Sequence, residues 1–355
     1  MIPTISPPST LRLEYCGRVI DERQHAGVAS EDDLVLLHAL QVAPRAPWTL
    51  IGPVVGADPS TVARRWSRLQ DERLAWFTAH ASASLLSPDL DAALVEVSAR
   101  PECVSDLARA VSAHPHVVAV DVVSGPQPIV FVVIGANLEE VRLRVAEISA
   151  DENDIESTEI TYLSRVHQED AQWQLRVLSE GQKRALLEPQ PDESRAVAPD
   201  LVAQMLSALD DDARIGFGEL AQRLETSEAT ARRLLTKALN SGVLRLSCDL
   251  AAGAMGFGRA VLLDVDVLDP NAAGQEISRM SPVVRCAESV GVANLHLMAR
   301  FPSLSHLAAF EADARERIPG WRVVRRRTVT RSFKRQGRLL DSSGRLAPLS
   351  SSSSR

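Results

Sequence analysis

The length of 355 residues predicts about two to four domains. A hydrophobic content of 45% predicts that they are globular and excludes an intrinsically disordered chain. Its net charge of -7 excludes a uniformly positive surface, so any contact with nucleic acid must come from local basic faces. The four cysteines form neither a CxxC pair nor a metal-type spacing, which predicts reduced thiols. The sequence shows no signal peptide and no apolar run of roughly 18 residues, so we expect a cytoplasmic protein without a membrane span.

Three segments lack periodicity. Residues 1–29 form an N-terminal extension in which only a short strand near residues 11–19 can be assigned. Residues 171–198 are predicted to be a linker, because prolines and charges interrupt the pattern towards its end. The serine-rich residues 342–355 are predicted to be disordered. The linker divides the chain into two halves of similar plan.

Residues 56–73 predict the turn and recognition helix of a helix-turn-helix. Asp58 suits the N-cap, and Pro59 suits the first helical position, where no N–H is needed. One helix face is apolar, at Val62, Trp66 and Leu69. The opposite face is polar and basic, at Thr61, Arg64, Arg65 and Arg68. Taken alone, this pattern fits an amphipathic surface helix with solvated arginines equally well.

A second copy of the pattern, at residues 227–242, favours the helix-turn-helix. Ser227 aligns with Asp58, and Arg233 aligns with Arg64, each 169 positions later. The buried positions of this copy are predicted to be Ala231, Leu235 and Ala238. An internal repeat of a cap, an apolar stripe and a basic stripe indicates a duplicated domain. We therefore predict helix-turn-helix domains at residues 30–80 and 199–248, with Glu225 replacing Gly56 at the tight turn.

The candidate DNA-binding residues lie on these two helices. Small residues near the helix starts are placed to approach base edges: Ser60, Thr61, Ala229 and Thr230. Cationic residues able to reach bases or phosphates follow them: Arg64, Arg65, Arg68, Arg232, Arg233 and Lys237. Because Arg232 replaces Ala63 and Leu234 replaces Arg65, the two helices should not read the same DNA sequence.

After each helix-turn-helix the pattern changes to short β-like runs separated by helices, in the order βαββαβ. The predicted elements of the first half, at residues 90–170, are 93–97, 103–113, 117–123, 129–134, 138–148 and 159–166. Those of the second half, at residues 257–335, are 260–267, 273–280, 283–289, 295–299, 304–317 and 323–330. The predicted fold class is α+β, with two winged helix-turn-helix domains and two ferredoxin-like αβ-sandwich domains.

This arrangement resembles the Lrp/AsnC family of transcription regulators, as a tandem fusion of two complete units. The residues that carry the resemblance are ADPSTVARRWSRLQDERL and ETSEATARRLLTKALNSGVL, followed by VVAVDVVSGPQPIVFVVI and VVRCAESVGVANLHLMA. The resemblance implies binding to double-stranded DNA, regulatory domains that dimerise, and a small effector such as an amino acid. A fused chain would supply both halves of a dimer as an intramolecular pseudo-dimer, with homo-oligomers of the whole chain also expected. Unequal halves imply an imperfectly palindromic operator.

In that family the turn between the middle strands often has a glycine followed three residues later by an aspartate. The second copy reads Gly291, Val292, Ala293, Asn294, and the first keeps only the glycine, Gly125. These residues are the effector-binding candidates, with the second copy the better one. The alternative is that both glycines are hairpin positions with positive φ.

Residues 322–338 are the most basic stretch of the chain, and alternation places Arg325, Arg327 and Arg331 on one face of a last strand. They form either a solvated edge strand or a supplementary phosphate contact.

The expected function is therefore that of a regulator and not of an enzyme, with no metal and no cofactor. The histidines are dispersed, aromatic residues make up 4% of the chain, and no nucleophile-base arrangement occurs. Two alternatives stay open. The sirohaem decarboxylases share this two-domain build and also occur as paired or fused subunits, which would make the chain a tetrapyrrole enzyme. The other alternative is a regulator that acts through protein contacts without binding DNA.

Overall fold

The computed structural model describes residues 14–15, 18–19, 29–81, 91–187, 198–210 and 212–348. The serine-rich end of the predicted tail, from residue 349, lies outside these ranges, as does most of the N-terminal extension. No helix in the described ranges is both long and apolar enough to cross a membrane. The described residues form two compact units: those up to 81 and those within 174–249 and 254–256 make up the first, and the other described residues make up the second.

The helices in the described ranges are α1 Glu31–Val42, α2 Trp48–Val55, α3 Pro59–Asp71, α4 Val104–Ala113, α5 Leu138–Asp151, α6 Glu180–Leu186, α7 Pro199–Ala208, α8 Phe217–Arg223, α9 Glu228–Asn240, α10 Pro270–Ile277 and α11 His306–Arg317. The strands there are β1 Glu14–Tyr15, β2 Arg18–Val19, β3 Ala75–Ala81, β4 Asp91–Ala99, β5 Val117–Val123, β6 Ile129–Gly135, β7 Ile155–Gln168, β8 Leu244–Leu250, β9 Arg259–Asp266, β10 Val283–Val290, β11 Leu295–Phe301, β12 Arg322–Arg335 and β13 Arg338–Leu339.

The first unit contains both helical trios, and both predicted recognition helices are confirmed as helices. In α3 the Asp58 carboxylate accepts a hydrogen bond from the Ser60 N–H at 2.9 Å, and in α9 the Ser227 hydroxyl accepts one from the Thr230 N–H at 3.2 Å. The predicted apolar stripes of both helices are buried. The strands that follow the two trios, β3 and β8, pair in a two-stranded sheet. The two copies are therefore joined in one unit.

The segment predicted as a linker contains α6. This helix begins with a capping box, in which the Ser179 hydroxyl accepts from the Gln182 N–H while the Gln182 side chain accepts from the Ser179 N–H. Gln182 also donates to the carbonyl of Val54 at 2.9 Å, which attaches α6 to α2. The linker prediction followed the prolines of residues 188–199 and overlooked this capping signal.

The second unit has the predicted element order twice, as β4-α4-β5-β6-α5-β7 and β9-α10-β10-β11-α11-β12. The structure corrects the expectation of two separate sheets. One antiparallel sheet runs β13-β12-β5-β6-β4-β7-β10-β11-β9, and β12 also pairs with β9. Eight strands therefore close on themselves, which leaves β12 without the free edge that its basic composition suggested. Closure removes the unpaired backbone groups that the edges of two separate sheets would expose.

Successive side chains of each strand point to opposite faces of the sheet. One face is covered by helices, and the other lies inside the closed sheet. In the first half, Val95 and Phe131 pack with Val141 and other apolar residues in the core beneath α4 and α5. In the second half, Phe310 packs edge-on against Phe301, with ring centroids 5.8 Å apart. The opposite faces carry charged residues, and these form the pocket described below.

Candidate functional site

Of the three arginines on the predicted recognition face of α3, two form ion pairs with carboxylates and one does not, among the residues that the structure describes. Arg64 is exposed and has no ion pair within the described ranges. Arg65 contacts Asp32 at 2.6 Å, and Arg68 contacts Asp33 at 2.6 Å. The Asp33 side chain is only 3% exposed. Burial tends to raise its pKa, but hydrogen bonds from Ser30 and Arg68 outweigh that effect, so the pKa lies below its ordinary value. Arg68 thus has a structural role in joining α3 to α1.

In α9 the cations are less constrained. Arg233 is exposed and Lys237 half-buried, and neither has an ion pair among the residues that the structure describes. Arg232 lies 3.5 Å from Glu228 and 4.4 Å from the Phe217 ring centroid. At the helix starts, Ser60 and Ala229 are exposed while Thr61 and Thr230 are half-buried. Arg64 and Arg233, which occupy aligned positions, are thus the free arginines of the two predicted DNA-binding faces.

The two copies contact each other through a reciprocal arginine pair that the sequence analysis missed. Arg45 donates to the carbonyls of Ala213 and Ile215 at 2.8 and 2.7 Å. Arg214, 169 positions later, donates to the carbonyls of Pro44 and Ala46, both at 2.6 Å.

The guanidinium groups of this pair also stack on aligned aromatic residues. The guanidinium of Arg45 lies 4.9 Å from the ring of Phe217, and that of Arg214 lies 3.9 Å from the ring of Trp48. Burial lowers the pKa of Arg214 to about 10, and the charge of Arg45 adds to this effect. The sequence did contain a signal for this pair. Extending the 169-residue alignment to the loop between the first and second helices of each copy places Arg45 on Arg214 and Trp48 on Phe217.

Inside the closed sheet of the second unit lies a small pocket that is partly open to solvent. Its lining is Leu94, Glu96, Glu159, Thr161, Asp264, Ser289, Val292, Ala293, His296 and Arg325. The carboxylate of Asp264 faces His296 Nδ1 at 2.7 Å and accepts from Arg325 Nε at 2.6 Å. Burial tends to raise the pKa of Asp264, but the contacts with His296 and the arginines hold it well below its usual range. Both halves of the chain contribute charged groups to this pocket.

Two of the three arginines predicted to share one face of the last strand, Arg325 and Arg327, contact carboxylates in this interior. Arg325 contacts Glu96 at 2.6 Å, and Arg327 contacts the same carboxylate at 2.7 Å. Arg326, on the other face of β12, forms two 2.6 Å hydrogen bonds with Glu311 of α11. Neither the solvated edge strand nor a phosphate contact describes these arginines, because their charges are neutralised within the protein.

The structure places only two of the five effector-binding candidates at the pocket. Val292 and Ala293 line the pocket. The Asn294 amide instead bonds to the backbone of Val267, accepting at 3.1 Å and donating at 2.8 Å. Gly125 has φ +119°, as a hairpin glycine would, whereas Gly291 does not fall in the positive-φ region. A Cβ at Gly291 would lie 3.0 Å from the Thr161 side chain, so close packing explains this glycine.

No group of three or more His, Cys, Asp or Glu side chains within the described ranges is placed to hold a metal ion.

The helical trio and its capped recognition helix define a helix-turn-helix protein, and the comparison with protein families agrees. Residues 30–70 match the AsnC-type helix-turn-helix domain. The chain therefore contains an AsnC-type helix-turn-helix within a mixed α and β fold.

A search of curated proteins found no significant match. Among solved structures, the chain is similar to the siroheme decarboxylase NirDL, with 18% identity, 86% of this chain and 93% of that chain covered, and a TM-score of 0.52. NirDL in complex with an iron-uroporphyrin III analogue gives 16% identity, the same coverage and the same TM-score. AsnC of E. coli covers 39% of this chain and 93% of its own, at 14% identity and a TM-score of 0.32.

Proposed function

We propose that this chain is a DNA-binding transcription regulator of the Lrp/AsnC type, in which two helix-turn-helix domains and two ferredoxin-like domains are fused. The observation that carries the proposal is the pair of exposed arginines, Arg64 and Arg233, at aligned positions of two capped helices. The AsnC-type match at residues 30–70 supports a DNA-binding role for the first of these helices. The protein would act in the cytoplasm as a regulator without catalytic activity.

The closed sheet supports the interpretation as an intramolecular pseudo-dimer. The strand order is β5-β6-β4-β7 in the first half and β10-β11-β9-β12 in the second, with equivalent strands at equivalent places. The halves then join through β7–β10 and β12–β5, so each last strand meets the second strand of the other half. Such reciprocal joining is the pattern of a two-fold dimer made within one chain. Assembly of whole chains into homo-oligomers, and modulation by a small effector, belong to the same proposal.

The test is an electrophoretic mobility shift assay with DNA from upstream of the chain's own gene, at several salt concentrations. Arg64→Ala and Arg233→Ala are each expected to weaken binding and to lower the slope of log K against log salt by about 0.9, because each removes one phosphate neutralisation. Arg109→Ala, an exposed arginine on α4, is the charge-matched control and should bind like the wild type.

Equal binding by Arg64→Ala, Arg233→Ala and the control would contradict the DNA-binding role. Loss of binding in Arg64→Ala alone would show that only the first domain reads DNA.

The likeness to NirDL favours a second candidate, a tetrapyrrole enzyme, because it extends over both halves of the chain. The pocket inside the closed sheet does not support this candidate. Its free space is far smaller than the roughly 300–1,000 Å³ of sites for drug-sized ligands, and a tetrapyrrole is a large ligand. An absorption titration with haemin distinguishes the two candidates, since a saturable shift of the haem band at one equivalent would favour the enzyme.

A further inference from the structure

The two helix-turn-helix copies contact each other in two ways within the first unit. One contact is the two-stranded sheet of β3 and β8, where the Thr78 hydroxyl donates to the buried carboxylate of Asp249 at 2.6 Å. The other is the reciprocal arginine pair, in which Arg45 and Arg214 each donate to two carbonyl groups of the other copy. A pair of strands alone can act as a hinge, whereas a second contact from the loops restricts the hinge motion.

The arginine pair is suited to hold one fixed geometry. Each guanidinium is a planar fork, and its two hydrogen bonds are 2.6–2.8 Å long. Each also stacks on an aromatic ring of the other copy, Arg45 on Phe217 and Arg214 on Trp48. Because hydrogen bonds weaken steeply when they bend, rotation of one copy against the other would break both forks. The pair therefore restricts the angle between the copies as well as their separation.

Aromatic rings connect this contact to both predicted recognition helices. The ring of Phe217 lies 4.9 Å from the guanidinium of Arg45 and 4.4 Å from that of Arg232, a candidate DNA-binding residue of α9. The other guanidinium of the pair lies 5.6 Å from the ring of Phe77, which packs on Trp66 of α3 with ring centroids 4.4 Å apart. The contact between the copies thus positions both α3 and α9.

We propose that α3 and α9 form one rigid DNA-reading head, whose partner is a duplex with two half-sites at a single spacing. Helices held at a fixed separation enter the duplex together only where two half-sites lie at the matching distance and on the matching side. Helix-turn-helix domains on flexible connections would accept several spacings. The fixed separation stands on the contacts within the first unit, and the DNA partner rests on the proposed function.

The separation is measured without DNA, as the distance between two spin labels on the full-length protein by double electron–electron resonance. The labels are attached to Ser67→Cys and Thr236→Cys, at exposed and aligned positions of α3 and α9. Cys16→Ser and Cys103→Ser remove two native thiols, and the two buried cysteines stay. We expect one narrow distance distribution. A broad or two-peaked distribution would overturn the rigid head.

Variants of the arginine pair test what holds the helices. Arg45→Lys with Arg214→Lys keeps both charges but removes the two-pronged contacts, so the distribution should become about twofold broader. Arg45→Lys alone, which keeps one fork, should give an intermediate width. Arg109→Lys, an exposed arginine on α4, is the matched control and should leave the distribution narrow. An unchanged width in both pair variants would overturn the role of the arginine pair.

The DNA partner is tested separately, by mobility shift of a duplex selected from random sequences for binding to the wild type. Insertion of half a helical turn or of one full turn between the half-sites, roughly 5 or 10 base pairs, moves one half-site to the opposite side or about 34–36 Å further along. Both insertions should weaken binding on the order of 100-fold, because only one helix then engages. Equal binding to the duplex with the full-turn insertion would overturn the single spacing.

The two measurements fail independently. If the wild type selects no DNA, the proposed function fails and the DNA partner fails with it. The label distances still decide whether α3 and α9 are held rigidly. If DNA is bound but the distance distribution is broad, the proposed function stands and the rigid head is wrong.

Discussion

The two helical trios have left-handed residues at the same two aligned positions, but each trio has its glycine at a different one of the two. Gly56 has φ +72° and the aligned Glu225 has φ +50°, whereas Arg73 has φ +53° and the aligned Gly242 has φ +73°. A side chain in this region costs roughly 1–2 kcal/mol, a cost that glycine escapes. Each copy therefore has one left-handed position with a glycine, which is unstrained, and one with a larger residue, which is strained. Glu225, which replaces the glycine expected at the tight turn, is one of the strained residues.

A pair of glycine substitutions tests this strain. Gly56→Ala is expected to destabilise the protein by about 1 kcal/mol, because its φ of +72° disfavours any side chain. Gly218→Ala, at an exposed position inside α8 without a positive φ, is the control and should be neutral or slightly stabilising. A Cβ meets nothing within 4 Å at Gly56 and only the Glu228 side chain at 3.9 Å at Gly218, so neither substitution causes a clash. Urea unfolding measures both; equal effects of the two substitutions would contradict the strain.

Reversal of the same argument predicts that Glu225→Gly stabilises the protein by about 0.5–1 kcal/mol. A higher urea midpoint with an unchanged slope would be the result expected, and a lower midpoint would show that the Glu225 side chain contributes more than its backbone costs.

His38 predicts a pH dependence of stability. This buried side chain accepts at Nδ1 from the N–H groups of Val177 and Leu178, both at 2.8 Å, which requires an unprotonated nitrogen. Burial, aided by the charge of Lys183, lowers its pKa to about 4. The folded pKa lies below the unfolded value of 6.5, so its contribution is complete above pH 6.5 and is lost as the pH falls towards 4.

We expect the free energy of unfolding to fall by about 2 kcal/mol between pH 7 and pH 5 on account of His38. His38→Gln should remove that part of the dependence. His80, whose pKa is also lowered to about 4 by burial, supplies a similar part, so His80→Gln serves as the comparison. A wild-type stability that is constant from pH 7 to pH 5 would contradict both assignments.

Among the elements, α3 and α9 share a pattern but differ in how they are attached. Arg68 holds the buried Asp33 of α1, whereas the aligned Lys237 has no ion pair among the described residues. Arg68→Ala is therefore expected to lower stability by about 1–2 kcal/mol, because it leaves a nearly buried carboxylate with fewer partners. Lys237→Ala is the control and should change stability little. The free energy of unfolding, measured in urea or by heating, tests this prediction. Equal losses for the two variants would show that the ion pair between Arg68 and Asp33 does not stabilise the protein.

The same two helices show what local sequence can predict. Caps at Asp58 and Ser227 and apolar residues at helical spacing act within a few residues of one another, so both helices were predicted with nearly correct bounds. The partners of the arginines could not be predicted in this way. Asp33 is 35 positions before Arg68, and only packing of α3 against α1 brings them together.

At the scale of the whole molecule, the reciprocal pair Arg45 and Arg214 is the contact that most directly tests the pseudo-dimer. Each guanidinium satisfies two carbonyl groups of the other copy. Arg214→Lys keeps the charge but cannot form the two-pronged contact, and we expect a loss of roughly 2–3 kcal/mol. Arg109→Ala, an exposed arginine of the second unit, is the control.

Combination of the two substitutions sharpens this test. Because Arg45 and Arg214 belong to one contact, Arg45→Lys with Arg214→Lys should cost less than the sum of the single losses, by at least 0.5 kcal/mol. Strict additivity in urea unfolding would mean that the two arginines act independently and not as one coupled contact.

Local patterns alone determined the duplicated plan of this protein: the capped helices, their apolar stripes and the βαββαβ order all depend on residues close together in the chain. Only the tertiary structure decided that the two sheets close into one, that Arg45 and Arg214 join the helical copies, and that β12 faces Glu96 rather than solvent. Glu96 and Arg325 are 229 positions apart, and no periodicity in the sequence records a contact at that separation. The physical reason is that pairing of strand edges and neutralisation of buried charge are decided between elements, after each element has formed.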